Sequence, residues 1–397
     1  MEAQPHRVLL YSHDSVGLGH LRRNLTIAHH LSAALPQATG RHATGLLVTG
    51  LAPIPPYPLP EGFDWLTLPG VTKGGAHYRP RRLLTGLGPL IALRSAVLHS
   101  ALVGLAPGLV IVDRHLHGVG GELHAPLRRL KEEYPDTRIV LGLRDVLDAP
   151  EAAAAEWRAL GHPRFLRRLI DEIWVYGDPT VHDPFASGEV PSALRDLAHF
   201  TGYLSLGRSS CDRSGAPPES PFILTTVGGG ADGEPLLRAA AQMTPPAGHD
   251  HLLVAGPQLS EGAFRAVQAL AGPRTRVHRC LPGLGRHLHA ASAVITMGGY
   301  NTIVEVLATS TPALVAPREE PRREQLIRAR SLERAGAVDV IRQQDLSPRA
   351  LGQWARTAVH HNVDRSGLAR DGLDIAGRRA TTVLGGHCAL ALAGGAQ

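Results

Sequence analysis

Three glycine-bearing stretches hold the residues best suited to chemistry. The richest is Ala293-Val-Ile-Thr-Met297-Gly298-Gly299-Tyr300-Asn301-Thr302, followed by Ile303-Val-Glu305. An apolar run of strand length ends in two glycines and passes into a helical pattern. Backbone amides at Gly298 and Gly299 can therefore approach an anion, and the helix start adds partial positive charge. Met297, Asn301 and Thr302 flank this turn. Glu305 falls one turn into the helix, where a carboxylate beside a phosphate loop can accept both hydroxyls of a ribose. Further on, Thr311–Arg318 forms the next strand and its exit, and Glu324-Gln325 opens another helix with two polar side chains suited to sugar hydroxyls.

A second stretch, Thr226-Val-Gly228-Gly229-Gly230-Ala-Asp232-Gly233, also follows an apolar run, and its glycines suit close approach to a phosphate. The first, His13-Asp14-Ser15-Val16-Gly17-Leu18-Gly19-His20, has the same strand–glycine–helix order. It lacks the third glycine of a dinucleotide fingerprint and the Gly-Lys-Ser/Thr of a P-loop. It offers two titratable groups instead, His20 and Asp14. Asp113 and Asp145 fall at the ends of other strands in the same half, where open α/β sheets gather their ligands. The histidine pairs His115/His117 and His287/His289 are spaced i, i+2 with no carboxylate cluster beside them, and no Asp-x-Asp motif occurs, so no metal site is expected.

These loops need a scaffold of alternating strands and helices. Val8–Ser12, Thr44–Thr49, Leu109–Asp113, Arg138–Leu143 and Glu172–Tyr176 read as strands in the first half. Phe222–Thr226, Leu252–Ala255, Thr275–Arg279, Ala293–Thr296, Ala313–Ala316 and Ala337–Ile341 read as strands in the second. Leu21–Leu35 carries Leu21, Leu25, Ala28, Leu31 and Leu35 on one helical face. Glu122–Glu133, Glu151–Leu169, Leu236–Met243, Ala263–Leu270, Asn301–Leu307 and Arg323–Ala335 are also expected to be helical. The five prolines of Leu51–Pro60 make that stretch a loop. The polar run Arg208–Pro221 reads as a linker. The expected organisation is an acceptor-binding Rossmann-like domain over 1–207, the linker over 208–221, a nucleotide-sugar-binding Rossmann-like domain over 222–365, and a helix and tail over 366–397 packing back on the first domain.

Length and composition agree with two domains: 397 residues, 43% hydrophobic and only 4% aromatic, with cores of Leu, Val, Ile and Ala. A net charge of +6 admits anionic substrates or an anionic membrane surface. Dispersed basic residues and scarce aromatics argue against nucleic acid. The three cysteines, Cys211, Cys280 and Cys388, have no pairing pattern, and no apolar run reaches bilayer length, so a cytoplasmic setting is expected. Leu83–Leu105 is apolar and preceded by Arg79, Arg81 and Arg82. It reads either as a helix packed in the core or as one that docks on the inner face of a membrane.

The run Val277–Val338, with HRCLPGLGRHLHAASAVITMGGYNTIVEVLATSTPALVAPR and EQLIRARSLERAGAV, resembles the donor domain of the undecaprenyl-diphospho-muramoylpentapeptide N-acetylglucosaminyltransferase family and its GT-B relatives. The GLGH of Gly17–His20 and the middle glycine loop match that family in position. GLGHLRRN together with VDRHLHGVGGELHAPL and GLRDVLDAPE is similar to a bacterial branch of glycosyltransferases. The resemblance implies a GT-B fold, two Rossmann-like domains facing a cleft. It implies an inverting sugar transfer from a nucleoside diphosphate sugar, UDP-linked and in the family UDP-GlcNAc, to a small-molecule or lipid-linked acceptor, with no cofactor and no metal. Glu305 would then bind ribose, and Gly229, Gly230, Gly298 and Gly299 the diphosphate. Glu324 and Gln325 would meet the sugar. His20 would lie in the cleft near the acceptor, as a general base or a diphosphate contact. By residue type and position His20 is the first choice of base and Asp14 the second, while Gly17, Gly19, Asp113 and Asp145 fall on the acceptor side. Thr296-Met297 replaces the family's serine-arginine, and Glu324-Gln325 replaces its paired glutamines. A nucleotide-sugar 2-epimerase and a non-catalytic GT-B partner protein are the alternative readings.

Overall fold

The computed structural model describes residues 4–13, 18–51, 57–74, 77–208, 215–229 and 232–393. The first half runs β1 (His6–Tyr11), α1 (Gly19–Thr39), β2 (Ala43–Thr49), β3 (Phe63–Thr67), β4 (Val71–Gly74), β5 (His77–Pro80), α2 (Leu87–Leu105), β6 (Leu109–Asp113), α3 (His124–Glu133), β7 (Arg138–Arg144), α4 (Pro150–Leu160), α5 (Pro163–Leu166), β8 (Glu172–Tyr176) and β9 (Ala198–Phe200). Seven of these strands make a parallel sheet in the order β3-β2-β1-β6-β7-β8-β9, and β4 and β5 form a separate antiparallel hairpin. β6 and β8 are buried along their whole length, as expected for strands covered on both faces by helices.

The second half repeats the plan. It contains β10 (Phe222–Thr226), α6 (Glu234–Ala241), β11 (Asp250–Val254), α7 (Glu261–Leu270), β12 (Thr275–His278), α8 (Leu284–Ala290), β13 (Ala293–Thr296), α9 (Tyr300–Leu307), β14 (Ala313–Val315), α10 (Glu324–Arg334), β15 (Asp339–Val340), α11 (Pro348–Ala358) and α12 (Gly372–Ala393). Its six-stranded parallel sheet has the order β12-β11-β10-β13-β14-β15. The strand order reverses direction between β1 and β6 in one sheet and between β10 and β13 in the other. Such switch points open a crevice at the carboxyl ends of the strands.

The halves are tied together. One apolar core runs from Trp174, Tyr176 and Tyr203 of the first half to Tyr300, Ile303 and Val304 of the second. The Tyr300 hydroxyl donates to the Tyr176 carbonyl at 2.8 Å. Arg328, buried in α10, holds Asp145 beyond β7 through three N–O contacts of 2.7–2.9 Å. α12 returns to the first half, where Arg379 pairs with Glu172 and Gly377 lies against the His30 ring.

The structure departs from the sequence expectations in three places. The expected helix Glu151–Leu169 is two, because Gly161 adopts φ 111° and Pro163 starts a new turn. The helix expected from Glu122 begins at His124. α2 is 19 residues and apolar enough to cross a bilayer by length and composition, contrary to the expectation that no such run exists. As in the reading of an amphipathic helix packed in the core with a solvated basic start, α2 sets one face into the core of the first half through Leu98 and Leu102. Only Leu90, Arg94, Leu98 and Leu102 are buried, a stripe at i, i+4 spacing, with Arg94 held by Glu122. Residues 209–214 of the expected linker lie outside the described residues.

Candidate active site

The two switch points face each other across a cleft of about 1110 Å³. From the first half it is lined by Gly19, His20, Arg22, Arg23 and Arg144, and from the second by Gly228, Gly229, Gly299, Asn301, Thr302 and Glu305. The helices bearing the two motifs meet there: Asn301 Nδ2 donates to the Gly19 carbonyl at 2.9 Å.

His20 lies in the first turn of α1 and faces Asp113 at the end of β6. Its Nδ1 is 3.0 Å from Asp113 Oδ2. An ionised carboxylate only accepts, so the neutral ring carries its proton on Nδ1, where Arg23 Nη2 at 3.2 Å is then a contact and not a hydrogen bond, and leaves the Nε2 lone pair available. Arg23 donates to the same Asp113 oxygen at 2.5 Å. Burial alone would raise the Asp113 carboxyl, but Arg23 and His20 pull it down to about 2. Burial also lowers His20, with Arg23 and Arg144 adding to it and Asp113 opposing it. The ring is thus neutral near pH 7 and oriented by its carboxylate. Behind it His13 contacts His115, ring centroids 4.1 Å apart, and its Nε2 is 2.9 Å from the Tyr78 hydroxyl on the β4–β5 hairpin. Burial drives His13 down to about 3.

On the opposite wall, Gly298 has φ 85° and an added Cβ would lie 2.7 Å from Val315 Cγ1, so the turn after β13 requires glycine. Gly299 caps α9, and a Cβ added there would meet nothing within 4 Å, which leaves the helix N-terminus open towards the cleft. Gly228 has φ 69°, and Gly256 closes against it and Gly229 from the neighbouring strand. Glu305 Oε1 accepts from Arg22 Nη2 at 2.6 Å, while Oε2 is buried with no partner.

Of the expected site residues, the structure brings His20, Gly19, Gly229, Gly299, Asn301, Thr302 and Glu305 to the cleft. Asp14, Gly17 and Gly230 lie outside the described residues. The rest stand differently. Met297 is buried beneath the turn, with Gly298 beside it. Asp113 lies behind His20, in contact with its ring, and not among the residues lining the cleft. Asp145 is consumed by Arg328, because a carboxylate at 1% exposure beside a buried guanidinium is worth most as a pair. Glu324 and Gln325 turn to Arg318: Glu324 Oε1 accepts from its Nη2 at 2.5 Å and Gln325 Oε1 from its backbone amide at 3.0 Å.

Sequence reasoning passed over Arg22, Arg23 and Arg144. The first two directly follow His20 in GLGHLRRN and fall on α1 at positions that reach the opposing wall and the neighbouring strand. Arg144 precedes Asp145 at the end of β7. The loop Arg279–Gly283, between β12 and α8, and the first turn of α8 also line the cleft and put Cys280 and Leu281 against it. The signal in each case was a basic or apolar residue next to a recognised motif.

Residues 251–366 match the glycosyltransferase family 28 C-terminal domain. The UDP-N-acetylglucosamine–N-acetylmuramyl-(pentapeptide) pyrophosphoryl-undecaprenol N-acetylglucosamine transferase of Rhodococcus jostii is 27% identical over 348 residues, covering 83% of this chain and 82% of the relative. The enzyme of the same name from Haemophilus influenzae is 26% identical over 109 residues, so the match spans only 31% of that relative's length and 27% of this chain. Among solved structures, MurG of Acinetobacter baumannii superposes with a TM-score of 0.53 at 15% identity, covering 96% of this chain and 99% of that one. The chain therefore has the GT-B glycosyltransferase fold, its second half is similar to the family 28 C-terminal domain, and most of its length is similar in sequence to these N-acetylglucosamine transferases.

Proposed function

We propose that this protein is an inverting glycosyltransferase that moves a sugar from a UDP-linked donor to an acceptor hydroxyl, with His20 as general base. The observation that carries this reading is the His20–Asp113 pair lining the same cleft as the half-free carboxylate of Glu305. The acceptor oxygen attacks the anomeric carbon as its proton passes to His20 Nε2. The bond from that carbon to the diphosphate oxygen breaks, its electron pair leaves with the diphosphate, and the configuration inverts. Glu305 Oε2 is suited to ribose hydroxyls. The amides at Gly228, Gly229 and the α9 N-terminus are suited to the departing charge. That supply of positive charge supports transfer without a bound metal ion or cofactor.

The relatives' printed names supply UDP-N-acetylglucosamine as the first donor to try. Glu324 and Gln325 reach the sugar on this reading only if Arg318 releases them. The outer face of α2 supports peripheral contact with the cytoplasmic leaflet. Leu93 on that face and Leu83 and Leu84 in the turn leading into the helix are exposed, with Leu84 fully so, and the basic side chains of Arg79 and Arg82 lie exposed just before them. A lipid-linked acceptor would be presented by such a surface.

The test is turnover of UDP-sugars with and without an acceptor extract, reading nucleoside diphosphate release and the anomeric configuration of the product. UDP release that depends on acceptor and on His20, with inverted product, supports the reading. A new sugar nucleotide formed from donor alone would instead make the protein an epimerase.

A further inference from the structure

Around the acceptor side of the cleft four arginines stand close enough for their charges to act on one another: Arg23, Arg114, Arg144 and Arg328. Three are matched by an acid. Arg23 pairs with Asp113 at 2.5 Å, Arg114 with Glu156 at 2.7 Å and Arg328 with Asp145 at 2.7 Å. Arg144 is different. No carboxylate among the described residues pairs with it, and its Nε, like those of Arg23 and Arg114, is buried without a hydrogen bond. Glu324 acts on it electrostatically, yet Glu324 is held by Arg318. Burial first, then Arg328, lowers the Arg144 guanidinium to about 9, with Arg23 and Arg114 adding to it and Glu324 opposing it. An uncompensated cation in such a place is costly unless a ligand anion completes it.

Its position makes that ligand an acceptor. Arg144 ends β7, next to β6 and Asp113, and it lines the same cleft as His20. Its charge acts directly on the His20 ring. The donor groups lie on the other wall, on β10, β13 and α9. A guanidinium presents a planar fork that meets a carboxylate or phosphate through two parallel hydrogen bonds and so fixes orientation as well as position.

We propose that Arg144 is the anion receptor of the acceptor subsite, and that the acceptor carries a carboxylate or phosphate placed so that its attacking hydroxyl lies at His20 Nε2. This rests on the transferase reading above and adds the chemical class of the acceptor. It also gives the receptor a second effect. An anion on Arg144 cancels a charge that lowers His20, so the acceptor itself makes the base stronger once bound.

The experiment is calorimetric titration of inorganic phosphate, and separately acetate, into the intact protein and its Arg144→Gln and Arg144→Lys variants, with and without saturating UDP. Saturable binding of one or both anions to the wild type is expected, weakened at least about tenfold in Arg144→Gln and partly restored in Arg144→Lys. UDP affinity should stay within about twofold in all three proteins, which also certifies that the variants fold. The tighter of the two anions assigns the acceptor group. Anion binding unchanged in Arg144→Gln, or none in the wild type, overturns the proposal even where UDP binds. Failure of UDP to bind the wild type counts against the transferase reading instead, and the anion comparison can still be read without it.

Discussion

Arg22 of α1 donates to Glu305 of α9 at 2.6 Å, a single ion pair that joins the proposed base-bearing helix to the proposed ribose-binding helix. One oxygen of Glu305 is thereby fixed in place and the other is left for a ligand. Removing the carboxylate should raise the donor KM with little change in kcat. Hydrogen bonds to a charged group contribute about 1.5–3 kcal/mol, so Glu305→Ala should cost about 10- to 150-fold in KM. Arg22→Ala should cost less, since it loosens Glu305 without deleting it. Steady-state kinetics with varied donor distinguishes the two.

His20→Ala should lower kcat by about 10²–10⁴-fold while nucleotide affinity holds. The pH profile carries a sharper expectation. Burial lowers the His20 ring from 6.5, so the neutral base persists below that pH and the acid limb of kcat/KM should fall below 6.5. Asp113→Asn removes the anion that raises the ring. The limb should then move further down and the plateau drop at least about tenfold, because a weaker and less oriented base remains.

The Arg328–Asp145 pair is almost sealed from solvent and bridges the two halves. Asp145→Asn leaves a buried guanidinium without its counter-charge, which should cost about 3–5 kcal/mol. Urea unfolding read by fluorescence checks this, and UDP affinity measured under native conditions should be nearly unchanged.

Stability should also fall on the acid side through His251. The ring is fully buried between Thr225 and Thr275, and burial lowers it to about 3. Above pH 6.5 it is neutral in both folded and unfolded chains and has no effect. As the pH drops from 6.5 towards 3, the unfolded chain takes up a proton that the folded chain refuses. Stability therefore declines by up to about 1.4 kcal/mol per pH unit from this residue. His251→Val should be less stable at pH 7 but show a shallower decline between pH 7 and 5 in urea midpoints.

The parallel strands were legible because each is a short, nearly continuous apolar run, and the three glycine loops because each follows such a run. β3 and the β4–β5 hairpin were not, since they alternate polar residues and lie beyond the proline-rich Leu51–Pro60. The candidate site was legible where one local motif sets the geometry, as in the turn at Gly298 and Gly299 and the placing of Glu305 at the cleft. It was not where a role depends on a distant partner. Asp145 reads as a cleft acid until Arg328, 183 residues away, claims it. Glu324 reads as a sugar ligand until Arg318 turns it aside. His20 and Asp113 were each noticed, but their pairing across 93 residues is a property of the β1–β6 switch point alone.

The most direct test of the central claim, that the cleft between the sheets binds a nucleoside diphosphate through Glu305, is calorimetric titration of UDP into the wild type and Glu305→Ala. Saturable 1:1 binding to the wild type, weakened at least about tenfold in the variant, is the predicted result. Undiminished UDP binding by Glu305→Ala, or no binding of UDP by the wild type, would contradict it.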